Sequence, residues 1–234
     1  MSAKTVALSP SNQTANTWTD GTNEEQHAVE LADRVQKLLE RAGVRVRRAD
    51  SVRPFGSSPC RIDYFEDADA LVVLHTNAFD GTVRGMRIFC YQSYSSDGTL
   101  ASENLRLSRS IQLSAELLNM TPAPKLYNDF AAWGELTNAD KKSIPATYVE
   151  TIFHDNELDV KFYYEHVDEI ADAIAGGILD YLDLPEIPKP ETIYRIQVGA
   201  WKDPTLAKEC LEKMKRESRE IADLLGNAII VKED

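Results

Sequence analysis

Cysteine is scarce in this 234-residue chain, which holds only Cys60, Cys90 and Cys210. Three thiols so far apart cannot form the disulfide framework of a small secreted domain or the paired spacing of a structural zinc finger. They read as reduced thiols of a protein made inside a cell. Long apolar runs are missing too, and no stretch approaches the roughly 18 residues of a membrane span. The opening Met-Ser-Ala-Lys-Thr-Val-Ala-Leu-Ser-Pro lacks the charged-then-apolar layout of an export signal. Synthesis in the cytoplasm without a signal peptide, and release by another route, is therefore expected. Basic residues are in deficit: 26 Lys and Arg stand against 38 Asp and Glu, a formal charge of −12. Such a surface does not displace counterions from nucleic acid or adhere to an anionic membrane. Neither nucleic acid nor membrane insertion is expected, and neutral or zwitterionic substrates stay open.

What is present suits a globular protein, with 43% hydrophobic and 27% charged residues. Pro185, Pro188 and Pro190 stiffen one short stretch and forbid helix. The chain thus divides into a large domain, 1–184, a linker, 185–190, and a tail, 191–234. In the large domain, strands are expected over Thr5–Ser9, Val44–Arg48, Ala70–Thr76, Gly85–Tyr91 and Ala146–Phe153, from alternation or short apolar runs. Between them, Glu24–Ala42, Leu100–Leu118 and Val167–Leu182 carry apolar residues at helical spacing. This alternation predicts an α/β fold: a mostly parallel twisted sheet flanked by helices, with a small β-α-β tail. The tail is expected as a strand at Thr192–Val198, a helix over Asp203–Lys215 or beyond, and a strand at Ala228–Val231. Sites in such folds lie beyond the carboxyl ends of strands, which directs attention to the loops after Ser9, Thr76 and Phe153.

Those loops are rich in polar chemistry. Ser9-Pro-Ser-Asn-Gln13 follows the first strand, Asn23-Glu24-Glu25-Gln26-His27 opens the first helix, and His75-Thr76-Asn77 ends the buried strand. Glu150-Thr-Ile-Phe-His154-Asp-Asn156 closes the last strand. An imidazole and carboxylates at neighbouring strand and helix ends suit a catalytic zinc, which keeps one position for water. Taken singly, each has a plainer role: His75 as a core-edge histidine, Glu24 as an acid favoured by a helix N-terminus.

In order and spacing, these segments resemble the zinc-dependent N-acetylmuramoyl-L-alanine amidases of autolysins and phage endolysins. The likeness runs over most of residues 4–183. It rests on Glu24 with Ala32, Leu38-Leu39 and Gly43-Val44-Arg45-Val46, on Asp69-Ala70-Leu71 through His75-Thr76-Asn77-Ala78-Phe79, and on Gly85-Met86-Arg87-Ile88-Phe89. Val149-Glu150 with Phe153 and Asn156 completes it, and the Ser9–Gln13 opening is similar to an endolysin-like branch. The resemblance implies Glu24 and His75 as Zn2+ ligands and Glu150 as the catalytic carboxylate. The family's first ligand is a His just after the first strand, where this chain has Asn12. A third donor is expected from His154, at the same sheet edge as Glu150, with Asn12 and His27 as alternatives. Asn12 and Asn77 are expected to bind substrate. The run Phe89–Ser96 is expected to line a groove for a stem peptide, walled by Trp18 and Trp133.

The implied reaction is hydrolysis, by zinc-activated water, of the amide between N-acetylmuramic acid and L-alanine in peptidoglycan. The alternatives are a zinc peptidase of the stem peptide and a non-catalytic cell-wall-binding protein on the same scaffold. In the tail, Tyr194-Arg195-Ile196-Gln197-Val198-Gly199-Ala200-Trp201 and Ile229-Ile230-Val231 resemble half of a SPOR domain. That likeness implies a glycan contact through Gln197. A homodimer through the tail is the other expectation, because some 44 residues bury little core alone.

Overall fold

In the computed structural model of the protein, the first helix runs Glu24–Arg41 (α1). It starts there because Asn23 closes a capping box: its side chain accepts from the Gln26 N–H, and the Gln26 side chain accepts from the Asn23 N–H. Ala28, Leu31, Ala32, Val35 and Leu39 recur at helical spacing and are all buried. Gly43, at φ +81°, takes the left-handed conformation that ends the helix. The structure describes residues 3–54, 60–92, 98–130 and 134–185, with 205, 206, 208, 209 and 213.

The chain separates into two compact units, Met1–Pro188 and Lys189–Asp234. In the first, the strands are Thr5–Pro10 (β1), Arg45–Arg48 (β2), Ala70–Asn77 (β3), Arg87–Tyr91 (β4), Lys125–Phe130 (β5) and Ala146–Phe153 (β6). They form one sheet in the order β2-β1-β3-β6-β4-β5. β2, β1, β3 and β6 run parallel, while β4 pairs with β6 in the antiparallel sense and carries β5 parallel to itself. The expected α/β architecture, mostly parallel, is the one observed. Every residue of β1 and β6 is buried, as are the first seven of β3, because apolar layers cover both faces of the central strands.

Thr99–Glu116 (α2) and Glu157–Tyr181 (α4) pack with α1 on one face, around Leu8, Val72, Leu74 and Val149. Gly134–Lys141 (α3) and a 3-10 turn, Arg61–Tyr64, cover the other face around Leu71, Val73 and Tyr148. α4 begins ten residues before the helix expected from Val167, because Asn156 caps it by accepting the Leu158 and Asp159 N–H groups. Its backbone breaks at His166 (φ −135°), so the apolar spacing read from the sequence belongs to the second half alone. β5 and α3 carried no clear period and were not expected.

Among the described residues, no helix is long and apolar enough to cross a membrane. In the second unit, residues 205, 206, 208, 209 and 213 are helical, within the helix expected over Asp203–Lys215. The strands expected at Thr192–Val198 and Ala228–Val231, the linker beyond Pro185, and Gln197 lie outside the described residues. So do Trp133 and residues 93–96 of the aromatic run.

α2 and α4 cross at Gly177, where an added Cβ would meet the Ile111 Cα at 2.5 Å and its backbone N at 2.7 Å. Backbone cannot yield as a side-chain tip can. Gly177→Ala should therefore cost about 1–3 kcal/mol by overpacking, despite alanine's better helix propensity. Gly176→Ala, whose Cβ would meet only the Ser114 Oγ at 3.2 Å, should be close to neutral. Urea melts of both variants check this; equal stabilities would refute the close crossing.

Candidate active site

The carboxyl ends of β1, β3 and β6 open into one cavity of about 430 Å³. Its floor is set by a contact between helix and sheet. Glu24, the first residue of α1 and fully buried, places Oε1 at 2.7 Å from His75 Nδ1 near the end of β3. The Thr76 N–H donates to the same oxygen at 3.2 Å, and Asn16 Nδ2 donates to Oε2 at 2.6 Å. The Asn16 carbonyl in turn accepts the Glu24 N–H at 2.9 Å. Burial pushes the Glu24 carboxyl up, but the hydrogen bond and charge of His75, with hydrogen bonds from Asn16 and Ser11, hold it below the usual range.

The two ring nitrogens of His75 face different groups. Nδ1 meets Glu24 and, at 3.3 Å, the Gln13 side-chain amide. Nε2 faces Glu135 of α3, with Oε2 at 3.9 Å. Glu135 is buried, and the Ser9 hydroxyl at the end of β1 donates to it. Arg61 braces that corner by donating to Ser9 Oγ at 3.1 Å and to the Pro10 carbonyl. Burial pushes the Glu135 carboxyl up, against the charges of His75 and Arg61 and the Ser9 hydrogen bond.

Glu150 stands beside His75 in the β3–β6 register, and the antiparallel β4 brings Arg87 opposite it. Asn77 Nδ2 donates to Glu150 Oε2. Burial and the charge of Glu24 push the Glu150 carboxyl up to about 8, against the Asn77 hydrogen bond and Arg87. Tyr148, two residues earlier, lies 4.6 Å from the His75 ring. Burial and the surrounding Glu135, Glu150 and Glu24 charges raise its phenol well above the ordinary value, so it stays protonated.

The sequence-predicted residues are only partly gathered. Glu150, Asn77, His75 and His154 line the cavity, with Glu24 against His75. The His154 ring pairs through Nδ1 with the Thr76 hydroxyl at 2.8 Å, and burial lowers its pKa. Asn12 donates through Nδ2 to the Arg53 carbonyl at 2.8 Å, outside the cavity lining. His27 stacks on Trp18, with ring centroids 3.8 Å apart, and bonds the Thr22 hydroxyl through Nε2. Trp18, expected to wall a cleft, is thus a buried packing residue. The antiparallel sense of β4 carries Tyr91 to the sheet edge opposite Glu150, and Phe89 and Tyr91 join the core there. Phe89 and Tyr91, the described aromatics of that run, therefore do not line the cavity. Sequence reasoning missed Glu135, Gln13, Asn16 and Tyr148. Glu135 lay in a stretch where no helix was expected, and the two amides lay in a loop without period.

The sequence matches the N-acetylmuramoyl-L-alanine amidase family over residues 9–180. The chain belongs to that family. Among curated proteins, none matches it by sequence. The fold is shared with solved amidases at low identity. AmiC2 of Nostoc punctiforme is 22% identical, with a TM-score of 0.59 over 77% of this chain and 97% of that one. Ami1 of Mycobacterium smegmatis is 17% identical, with a TM-score of 0.63 over 77% and 97%. The catalytic domain of the CD27L endolysin, which targets Clostridia difficile, is 18% identical, with a TM-score of 0.53 over 76% and 97%. The amidase match spans all three loops that build the cavity.

Glu150 also gives this amidase a pH signature. Its folded pKa, about 8, lies above the usual 4.5, so the native state holds the extra proton. That stabilisation is complete below about pH 4.5 and is lost as pH rises through about 8. In chelator-treated protein, Glu150→Gln should therefore gain on the parent by about 2–4 kcal/mol between pH 5 and pH 9. Denaturant midpoints across that range test it; a constant difference would refute the buried, like-charged environment.

Proposed function

We propose that the protein is a peptidoglycan amidase that hydrolyses the bond between N-acetylmuramic acid and L-alanine with a zinc ion held by Glu24 and His75. Family membership supports the substrate class. The observation that carries the site reading is the convergence of Glu24, His75 and Glu150 at three segment ends of one cavity. Among the described residues, no three His, Cys, Asp or Glu side chains gather as a ready metal-holding group. The donor chemistry nonetheless fits a zinc: an imidazole and a carboxylate already touch, a second carboxylate stands beside them, and amide oxygens lie at hand. Gln13 and His154 line the same cavity and are candidates for a third role.

Zinc would supply Lewis-acid polarisation of the scissile carbonyl and acidification of water. The chain's own residues do the rest. Glu150 takes the proton of the attacking water and passes it to the departing L-alanine amine. Asn77 occupies one carboxylate oxygen of Glu150 and so fixes the plane of the group. A cation beside Glu24 would remove the part of the Glu150 pKa rise that comes from the Glu24 charge, lowering the Glu150 carboxyl and readying it to accept that proton. Tyr148, protonated throughout, lines the cavity wall. Residues 191–234, with their SPOR-like words, are proposed to hold the enzyme on glycan or to pair two copies.

Purified peptidoglycan incubated with protein and zinc should release new alanine amino groups without new reducing sugar ends. Glu150→Gln should lower that rate about 10²–10⁴-fold while keeping the parent's zinc content. Reducing ends would make the enzyme a glycosidase, and amines of other stem residues a peptidase.

A further inference from the structure

A zinc site that keeps a position for water needs three protein donors, and Glu24 and His75 supply two under the reading just given. The nitrogen of His75 turned toward Glu24 is Nδ1, at 2.7 Å, whereas Nε2 faces Glu135. A third donor has to meet the Nδ1 side of the ring. The Gln13 amide is there, 3.3 Å from Nδ1. Its other terminal atom, Oε1, accepts from Asn16 Nδ2 at 2.8 Å, and Asn16 Nδ2 also donates to Glu24 Oε2 at 2.6 Å. Four side chains thus close a ring: His75, Glu24, Asn16 and Gln13. The two ends of an amide exchange by rotation about its last bond, and hydrogen-bond partners alone decide which end points where. A cation between Glu24 and His75 Nδ1 would draw the oxygen of Gln13 toward itself.

Of the other two side chains only His154 lines the cavity, and it commits one ring nitrogen to a neighbouring hydroxyl. Asn12 spends its amide on the Arg53 carbonyl, and the His154 ring bonds the Thr76 hydroxyl. The loop that carries Gln13 is tied to the sheet, since the Ser11 N–H donates to the Leu74 carbonyl at 2.8 Å and Ser11 Oγ accepts the Gln13 N–H at 3.2 Å. Asn16 sits one step behind, between Gln13 and Glu24, and acts as a positioning residue.

We propose that Gln13 is the third metal donor, through its side-chain oxygen, in a site of one imidazole, one carboxylate and one amide. This rests on the reading of Glu24 and His75 as zinc ligands. A neutral amide oxygen binds zinc less tightly than imidazole, so the site gains affinity if Gln13 becomes a histidine. Gln13 is exposed, and its replacement leaves the core untouched.

The test is metal affinity of the full chain, stripped with chelator and titrated with Zn2+ against a chromophoric competitor. A parallel Co2+ titration reports the coordination by its visible spectrum. Gln13→Ala should weaken Zn2+ binding at least about 10-fold, a loss of the size that even supporting groups cause. Gln13→His should tighten it about 10-fold or more and change the Co2+ spectrum. Asn12→Ala and His154→Ala should stay within about 3-fold of the parent. Loss of metal in His154→Ala with retention in Gln13→Ala would overturn the proposal in favour of His154. Retention in both, or no binding by the parent, would overturn it too. The amidase reading is judged separately, by alanine amines released from peptidoglycan.

Discussion

The contact between Glu24 and His75 is the constraint on which the site depends. It joins the first residue of α1 to the end of β3, two segments fifty residues apart, through a fully buried carboxylate. A carboxylate without water survives only where donors surround it. Here the surround is complete: His75, the Thr76 backbone and Asn16 all serve it. The helix is thereby fixed against the sheet edge, and the first loop is drawn over the cavity with Gln13 and Asn16 on its inner side.

The same contact governs the electrostatics of its neighbours. Glu24 remains charged, and that charge is part of why Glu150 is held up near 8 and why Tyr148 keeps its proton. Glu135 adds a second buried carboxyl behind the His75 ring. Glu135 and Glu150 line the cavity with Glu24 against His75, and the Arg61 and Arg87 cations stand at its margins. On the proposed roles, proton transfer by Glu150 and metal binding by Glu24 are coupled, since neutralising one carboxylate retunes the other.

Much of the fold was legible because it is periodic. The apolar spacing of α1, its Asn23 cap and its Gly43 stop are local signals, and the buried runs of β3 and β6 stand out by composition. Where the pattern was weak, the reading failed. β5 and α3 have no clear period, the first half of α4 hides behind polar residues, and nothing local reveals that β4 runs against β6. That last reversal had the largest consequence, because it brought Arg87 to Glu150 and sent Tyr91 to the far edge. Phe89 and Tyr91, which looked like the start of a substrate groove, became core.

At the site, the sequence by itself determined which elements end at the cavity and placed Glu24, His75 and Glu150 there, since strand ends and a helix start are local features. It did not determine side-chain direction in the loop after β1. Asn12 and Gln13 are neighbours, yet one reaches the Arg53 carbonyl and the other the His75 ring. Past the end of a strand no two-residue alternation says which way a side chain points. Only the packing of that loop against β3, α1 and the Arg53 segment decides it. The tertiary structure likewise brought in Glu135 from a stretch without pattern, because Leu136 and Ala139 of the same helix pack into the core with Leu71, Val73 and Tyr148.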